Sequence, residues 1–187
     1  MKKLFTSILL FLSTVFMFAE NQFYFDFGSV NFGYHDKYQI VTEINAPIIG
    51  ISNTKNSFFA EFSPLNIEGS FDDMGVNDNF EYTRLYFFNL SLSYGFLFGD
   101  IFLFSPQVKL SYLNPSDLKD FSVKPNLQFS LLYNFADFED ISFLMQKVLT
   151  ITVGLDFNLK DKLSPSFYTN IGINLTSIAG LFNPKNW

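Results

Sequence analysis

The chain contains no cysteine. That excludes disulfides, thiolate-held metals and an N-terminus lipidated through cysteine. Histidine is almost as scarce, with His35 alone, and no cluster of His, Asp and Glu has metal-ligand spacing. No glycine-rich phosphate loop and no nucleic-acid motif is present. Basic residues are also few, 12 against 18 acidic, for an isoelectric point near 4.6. Such a balance argues against nucleic acid and against anchoring on anionic lipid through a basic patch. Beyond residue 19 no run of 18 apolar residues occurs, so no membrane-spanning helix is expected there.

What is abundant is phenylalanine. The chain has 27 of them, 20% aromatic residues and 48% hydrophobic residues overall. Without a membrane helix, that much apolar surface fills a large soluble core or faces lipid from strands. The first residues suggest which compartment is reached. Lys2 and Lys3 precede an apolar run from Leu4 to Phe18, and Ala19 is a small residue suited to cleavage. This is the layout of a secretory signal peptide, and the run is short for an anchor, which needs about 20 residues. The expected division is a signal peptide over 1–19 and a single domain over 20–187. Asp72, Asp73 and Asp78 form an acidic loop whose spacing fits no calcium-binding loop.

The clearest pattern runs from Phe80 to Phe98. Its even positions include Tyr86, Phe88, Leu90, Leu92, Tyr94 and Phe96, while its odd positions include Asn89, Ser91, Ser93 and Gly95. A period of two puts the sets on opposite faces of a β-strand. Aromatics at both ends with leucines between them match a lipid-facing strand and its two interfacial girdles. Tyr86, Phe88, Leu90, Leu92, Tyr94 and Phe96 are therefore expected to face lipid.

Seven further stretches alternate, giving expected strands at about 22–34, 38–51, 57–67, 101–112, 121–135, 141–158 and 165–177. The first changes phase at Gly28, where a bulge would turn the pattern to the other face. His35-Asp36-Lys37 reads as a solvated loop, and 68–79 as a longer one. Gly99-Asp100 suits a tight hairpin. Prolines 47, 64, 106 and 125 lie inside expected strands, where each removes a ladder donor. The charges in the polar phase are Glu43, Glu61, Lys109, Lys124 and Asp156. They either pair across an interior or sit at its rims in water, and the residues leave both open.

Eight alternating segments joined as sequential hairpins imply an all-β fold, an eight-stranded antiparallel up-and-down transmembrane β-barrel. The whole domain resembles the small bacterial outer-membrane β-barrels, such as the transmembrane domain of outer membrane protein A. The resemblance is of architecture and carries no family motif. It implies a location in the cell outer membrane, a largely filled lumen, and a non-enzymatic structural or surface-interaction role without cofactor. The implied partners are outer-membrane lipids, the barrel-assembly machinery and an unidentified extracellular ligand or host surface. Such barrels commonly end on an aromatic residue; Trp187 is terminal here, but the Asn183–Asn186 stretch before it is poor strand material.

Two other classes are open. One is a soluble periplasmic ligand-binding barrel of lipocalin type, with its apolar stripes turned inward. The other is a lipid A-modifying barrel enzyme using His35 with Asp36 and Ser70, three polar residue types that loops also contain by chance.

Overall fold

A computed structural model describes residues 21–36, 39–53, 58–71, 80–86, 88–99, 101–112, 121–133, 147–158 and 164–181. The expected signal peptide, the Asp72–Asp73–Asp78 loop and Trp187 lie outside these residues. The described chain is almost wholly antiparallel β-sheet, as its alternation requires. Where eight strands were expected, the described residues form thirteen shorter segments: β1 (Asn21–Asp26), β2 (Ser29–His35), β3 (Gln39–Asn45), β4 (Ile48–Asn53), β5 (Phe58–Ser63), β6 (Asn66–Phe71), β7 (Phe80–Tyr86), β8 (Phe88–Tyr94), β9 (Phe96–Phe98), β10 (Phe102–Tyr112), β11 (Phe121–Leu132), β12 (Lys147–Asn158) and β13 (Pro165–Asn174). One sheet contains them all, in the order β1-β4-β5-β8-β10-β11-β12-β13-β2-β3-β6-β7, with β9 beside β10.

The larger number has a physical cause. Each of the first three expected strands is broken near its middle, at Phe27-Gly28, Ala46-Pro47 and Pro64-Leu65. Gly28 has φ +133, a conformation that side chains avoid. Pro47 and Pro64 offer no amide donor, so the ladder stops where they stand. The breaks are neighbours in space. The pairs Asp26↔Ile48 and Ser29↔Asn45 bracket the first two. Asn45↔Asn66 and Ser63↔Asn89 bracket the third. They form one crease running across adjacent strands. A hydrogen bond from Ala46 N to Leu65 O, 3.1 Å, crosses it.

The crease also switches faces. Before Gly28 the buried residues are even (Tyr24, Asp26); after it Phe32 and Tyr34 are exposed and His35 is buried. In the next strand pair Asn45 is buried before the break, and Gly50 and Ser52 after it. The expected strand at 38–51 therefore does not keep one face throughout; Ile44 is exposed before Pro47 and Ile49 beyond it. Phe59 and Ser63 give way in the same manner to Asn66 and Glu68. Glu68 belongs to β6, not to the expected loop.

Pro106 and Pro125 are different, since both lie inside strands. Pro106 stands opposite Leu127 and Pro125 opposite Val108. On its other side the β11–β12 ladder runs from Val123↔Phe157 to Asn126↔Gly154, passing over Lys124 and Pro125. The last expected strand is also shorter than its pattern. It ends at Asn174, and α1 (Leu175–Leu181) takes over. Asn174 Oδ1 accepts the amide of Ser177 at 2.8 Å, an N-cap. Asp26 accepts from Asn174 Nδ2 and from Thr176 Oγ1, the latter at 2.7 Å, tying the helix to the crease at Gly28. No described helix is long and apolar enough to cross a membrane.

The sheet curls around its polar face. β3 and β10 are five places apart in the strand order, yet Lys109 of β10 bonds Glu43 of β3. Lys124 of β11 meets Glu68 of β6 across the same number of places.

The two positive-φ glycines give a stability test. A Cβ at Gly28 would run into the carbonyl oxygen of Asn45, whereas one at Gly99, φ +55, would meet nothing. Gly99→Ala is expected to cost about 1–2 kcal/mol, the left-handed conformation alone. Gly28→Ala should cost clearly more, read as the difference in equilibrium unfolding midpoints.

Candidate functional site

The distribution of polarity is inverted relative to an ordinary globular protein. Among the described residues only Tyr24, Phe59, Leu103 and Leu132 are buried apolar side chains. Twenty polar or charged residues are buried, and large apolar residues such as Phe23 (77% exposed), Phe129, Ile151 and Ile171 stand outside. A soluble fold does the opposite.

Phe88, Tyr94 and Phe96 are exposed, and Leu90 and Leu92 are half-buried between them on the same face. Asn89 and Ser93 on the other face are buried. Tyr86 is paired in register with Asn66, and its side chain lies outside the described set.

The inner face carries a row of charge. Glu61 of β5 stands opposite Ser91 of β8, Ser91 opposite Lys109 of β10, and Lys109 opposite Lys124 of β11. Lys124 then contacts Asp156 of β12, Nζ to Oδ2 3.3 Å. Two lysines facing each other directly would repel, and like-charge cross-strand pairs destabilise a sheet. Carboxylates arriving from the far side of the curl relieve this. Glu43 takes Lys109 and also accepts from Asn66 Nδ2. Glu68 takes Lys124, Oε2 to Nζ 3.3 Å. The Lys124 ammonium also lies 5.8 Å from the centre of the Tyr168 ring. Glu43, Glu61, Lys109, Lys124 and Asp156 are thus all turned to the inner face, and four of them form ion pairs across or along it.

His35 requires a correction. It does not stand in a solvated loop; it is the last residue of β2, 6% exposed. Its Nε2 is 3.6 Å from Asp156 Oδ2 and its Nδ1 3.5 Å from Asp36 Oδ1. Asn31, Gly33 and His35 share one phase of β2, and that alternation was the available signal. Ser70 belongs to β6, opposite Val41 and Tyr82. Sequence reasoning also missed Glu68, Asp26 and Lys147, all buried. Glu68 lay in a stretch rich in Gly and Asp, and Lys147 in one whose apolar neighbours dominate.

A cavity of about 120 Å³ remains among these charges, lined by Glu43, Glu61, Glu68, Asn89, Lys109 and Lys124 with other polar groups. Its walls are hydrogen-bonded in part, Gln128 Nε2 to Gln107 Oε1 at 2.9 Å and Asn126 Nδ2 to the Lys124 carbonyl at 3.0 Å. The apolar interior residues gather elsewhere. Phe59 and Leu103 meet at Gly95, where a methyl group would touch both. The Leu132 amide donates to the Ile101 carbonyl nearby in the sheet, 2.7 Å. This apolar cluster lies where β9 turns into β10. Among the described residues no group of three or more His, Cys, Asp or Glu could hold a metal ion. No protein-family model matches the chain, nor does any curated protein or solved structure.

Proposed function

We propose that this chain is an outer-membrane β-barrel with a largely filled lumen and a structural or surface-interaction role. The observation that carries the reading is the inversion of polarity: a wall with phenylalanine and aliphatic residues outside and serine, asparagine and ion pairs inside. In water such an exterior would aggregate, whereas lipid is its natural solvent. The aliphatic residues Leu127, Leu149, Ile151 and Val153 are exposed on adjacent strands, as a hydrocarbon-facing band requires.

Barrel closure belongs to this proposal. Joining β1 with β2, β3 with β4, β5 with β6, and β7 through β9 leaves eight staves. Pairing of β13 with β2 then brings the last stave onto the first. Closure would remove free edges within the bilayer, where an unpaired amide has no water to bond. Among the described residues the interior is occupied by side chains around a small cavity, which argues against diffusion of large solutes. Export through the 1–19 signal, insertion by the barrel-assembly machinery and an extracellular ligand or host surface as partner are parts of the same reading. A lipocalin-type barrel would need its apolar stripes inside, and they are outside. For a lipid A-modifying enzyme, His35 is now buried beside Asp156 instead of standing in a loop with Ser70, which weakens that alternative.

The purified protein is expected to require detergent and to migrate at different positions on gels before and after boiling. Solubility in plain buffer with one unchanged band would refute the assignment.

A further inference from the structure

The strand β1 ends the strand order. Among the described residues it pairs with β4 alone, so alternate amides and carbonyls of Asn21–Asp26 face away from β4 without a ladder. Neither proline nor a basic residue blunts that edge. The ladder between β13 and β2 runs toward it, from Tyr168↔His35 to Asn174↔Ser29, and stops where the chain turns into α1.

Elsewhere along the crease the pairing resumes without a shift. Asp26↔Ile48 and Ser29↔Asn45 belong to one register on its two sides, as do Ile49↔Phe62 and Asn45↔Asn66. Carried past Asn174 in the same way, the β13–β2 register puts Leu175 opposite Gly28 and Thr176 opposite Phe27. Both contacts exist in the helical form. Leu175 N donates to Gly28 O at 2.9 Å, and Phe27 N donates to Thr176 Oγ1, also at 2.9 Å. In the second, a side-chain hydroxyl takes the amide that a neighbouring strand's backbone would take.

The helix itself is weakly determined. It has seven residues, with Gly180 inside it, no acidic residue in its first turn and no basic residue in its last. Thr176 and Ile178 are β-branched and favour a strand. What holds the helix includes the Asn174 cap and the bonds from Asn174 and Thr176 to Asp26.

We propose that Leu175–Leu181 is a switch segment that also adopts a strand, extending β13 along the open edge of β1. In that form Ile178 lies opposite Phe25 and Leu181 opposite Gln22, and the seam beside Asp26 is closed; as α1 the segment leaves it open. The driving force rests on the membrane reading, because an edge amide in hydrocarbon has no water to bond.

The chain has no cysteine, so engineered pairs report without background. The test is oxidation of Gln22→Cys with Leu181→Cys in the full chain, inserted in phosphatidylcholine vesicles. From Leu175 to Leu181 is about 9 Å along a helix but about 20 Å along a strand, and Gly28 to Gln22 is about 20 Å along β1. A disulfide needs Cα atoms within about 7 Å, so only the strand form brings this pair together. A bridge within one chain is expected. Asn174→Ala and Thr176→Val, which loosen the helix, should each speed its formation about fivefold, the worth of a helix cap. Val30→Cys with Ile173→Cys, opposite each other in the ladder, is the control for folding and oxidation. Should the Gln22–Leu181 variant show no heat-dependent gel shift, Phe25→Cys with Ile178→Cys tests the same register. The control bridge forming without the seam bridge would overturn the switch and leave the membrane reading standing. So would a bridge formed only between chains, which would give the edge to a second copy, or a rate that neither helix variant changes. Solubility in plain buffer with one gel band would strike the membrane reading and the switch together.

Discussion

Lys124→Met is expected to lower stability by about 3–5 kcal/mol, the range for removing one partner of a buried ion pair. The lysine is 8% exposed at its side chain and holds two carboxylates, Glu68 and Asp156, each at 3.3 Å. Methionine preserves much of the volume, so the loss is mainly electrostatic. Both carboxylates are then left facing each other and Glu43 in a space that water enters poorly. The triple variant Lys124→Met, Glu68→Gln, Asp156→Asn should recover most of the loss, because it removes the charges together. Denaturant unfolding in vesicles or detergent measures both. If the single variant is as stable as the wild type, the interior is hydrated freely and the ion pairs contribute little.

Leu127→Arg should cost about 2–4 kcal/mol, the range for a basic residue on the lipid face near mid-depth. Leu127 is 44% exposed, in the interior of β11 and opposite Pro106 and Val153. On a protein bathed in water, the same change at so open a position would lie within about 0.5 kcal/mol of neutral. The two environments therefore predict different results from one substitution. An unchanged unfolding midpoint in vesicles would remove the lipid from that face. Its chain neighbour Asn126 is buried inside, so Asn126→Asp serves as the inner-face comparison.

Much of the wall was legible because period-two alternation is a local property. β8, β10, β11 and β12 place their serines and asparagines inside as the pattern requires. Gly28 was readable as a phase change, since the apolar residues shift from odd to even around it. Pro47 and Pro64 signalled the same event, but their neighbours Ala46 and Leu65 blur the switch. α1 was missed because Ile173 and Leu175 prolong the alternation, while the Asn174–Ser177 cap is a single polar contact. The ion pairs could not be read at all. Lys109 and Glu43 are 66 positions apart, and only the curl of the sheet decides which carboxylate meets which lysine.

The crease has a consequence for how the wall holds its alignment. A uniformly pleated strand can slip by two residues against its neighbour and still present the same faces, so face chemistry alone does not forbid that error. Here a two-residue slip would carry Gly28 away from Ala46-Pro47, or Pro64-Leu65 away from its partner. Each displaced break would then lie beside continuous strand, leaving donors and acceptors unpaired on both sides, and the polarity switch would fall at different heights on adjacent strands. The breaks thus act as a vernier, with one setting at which all the marks coincide. A compensating slip in one strand alone cannot restore that setting. An insertion or deletion on either side of the crease would have to be matched in the neighbouring strands, whereas the uncreased strands β10 to β13 carry no such constraint.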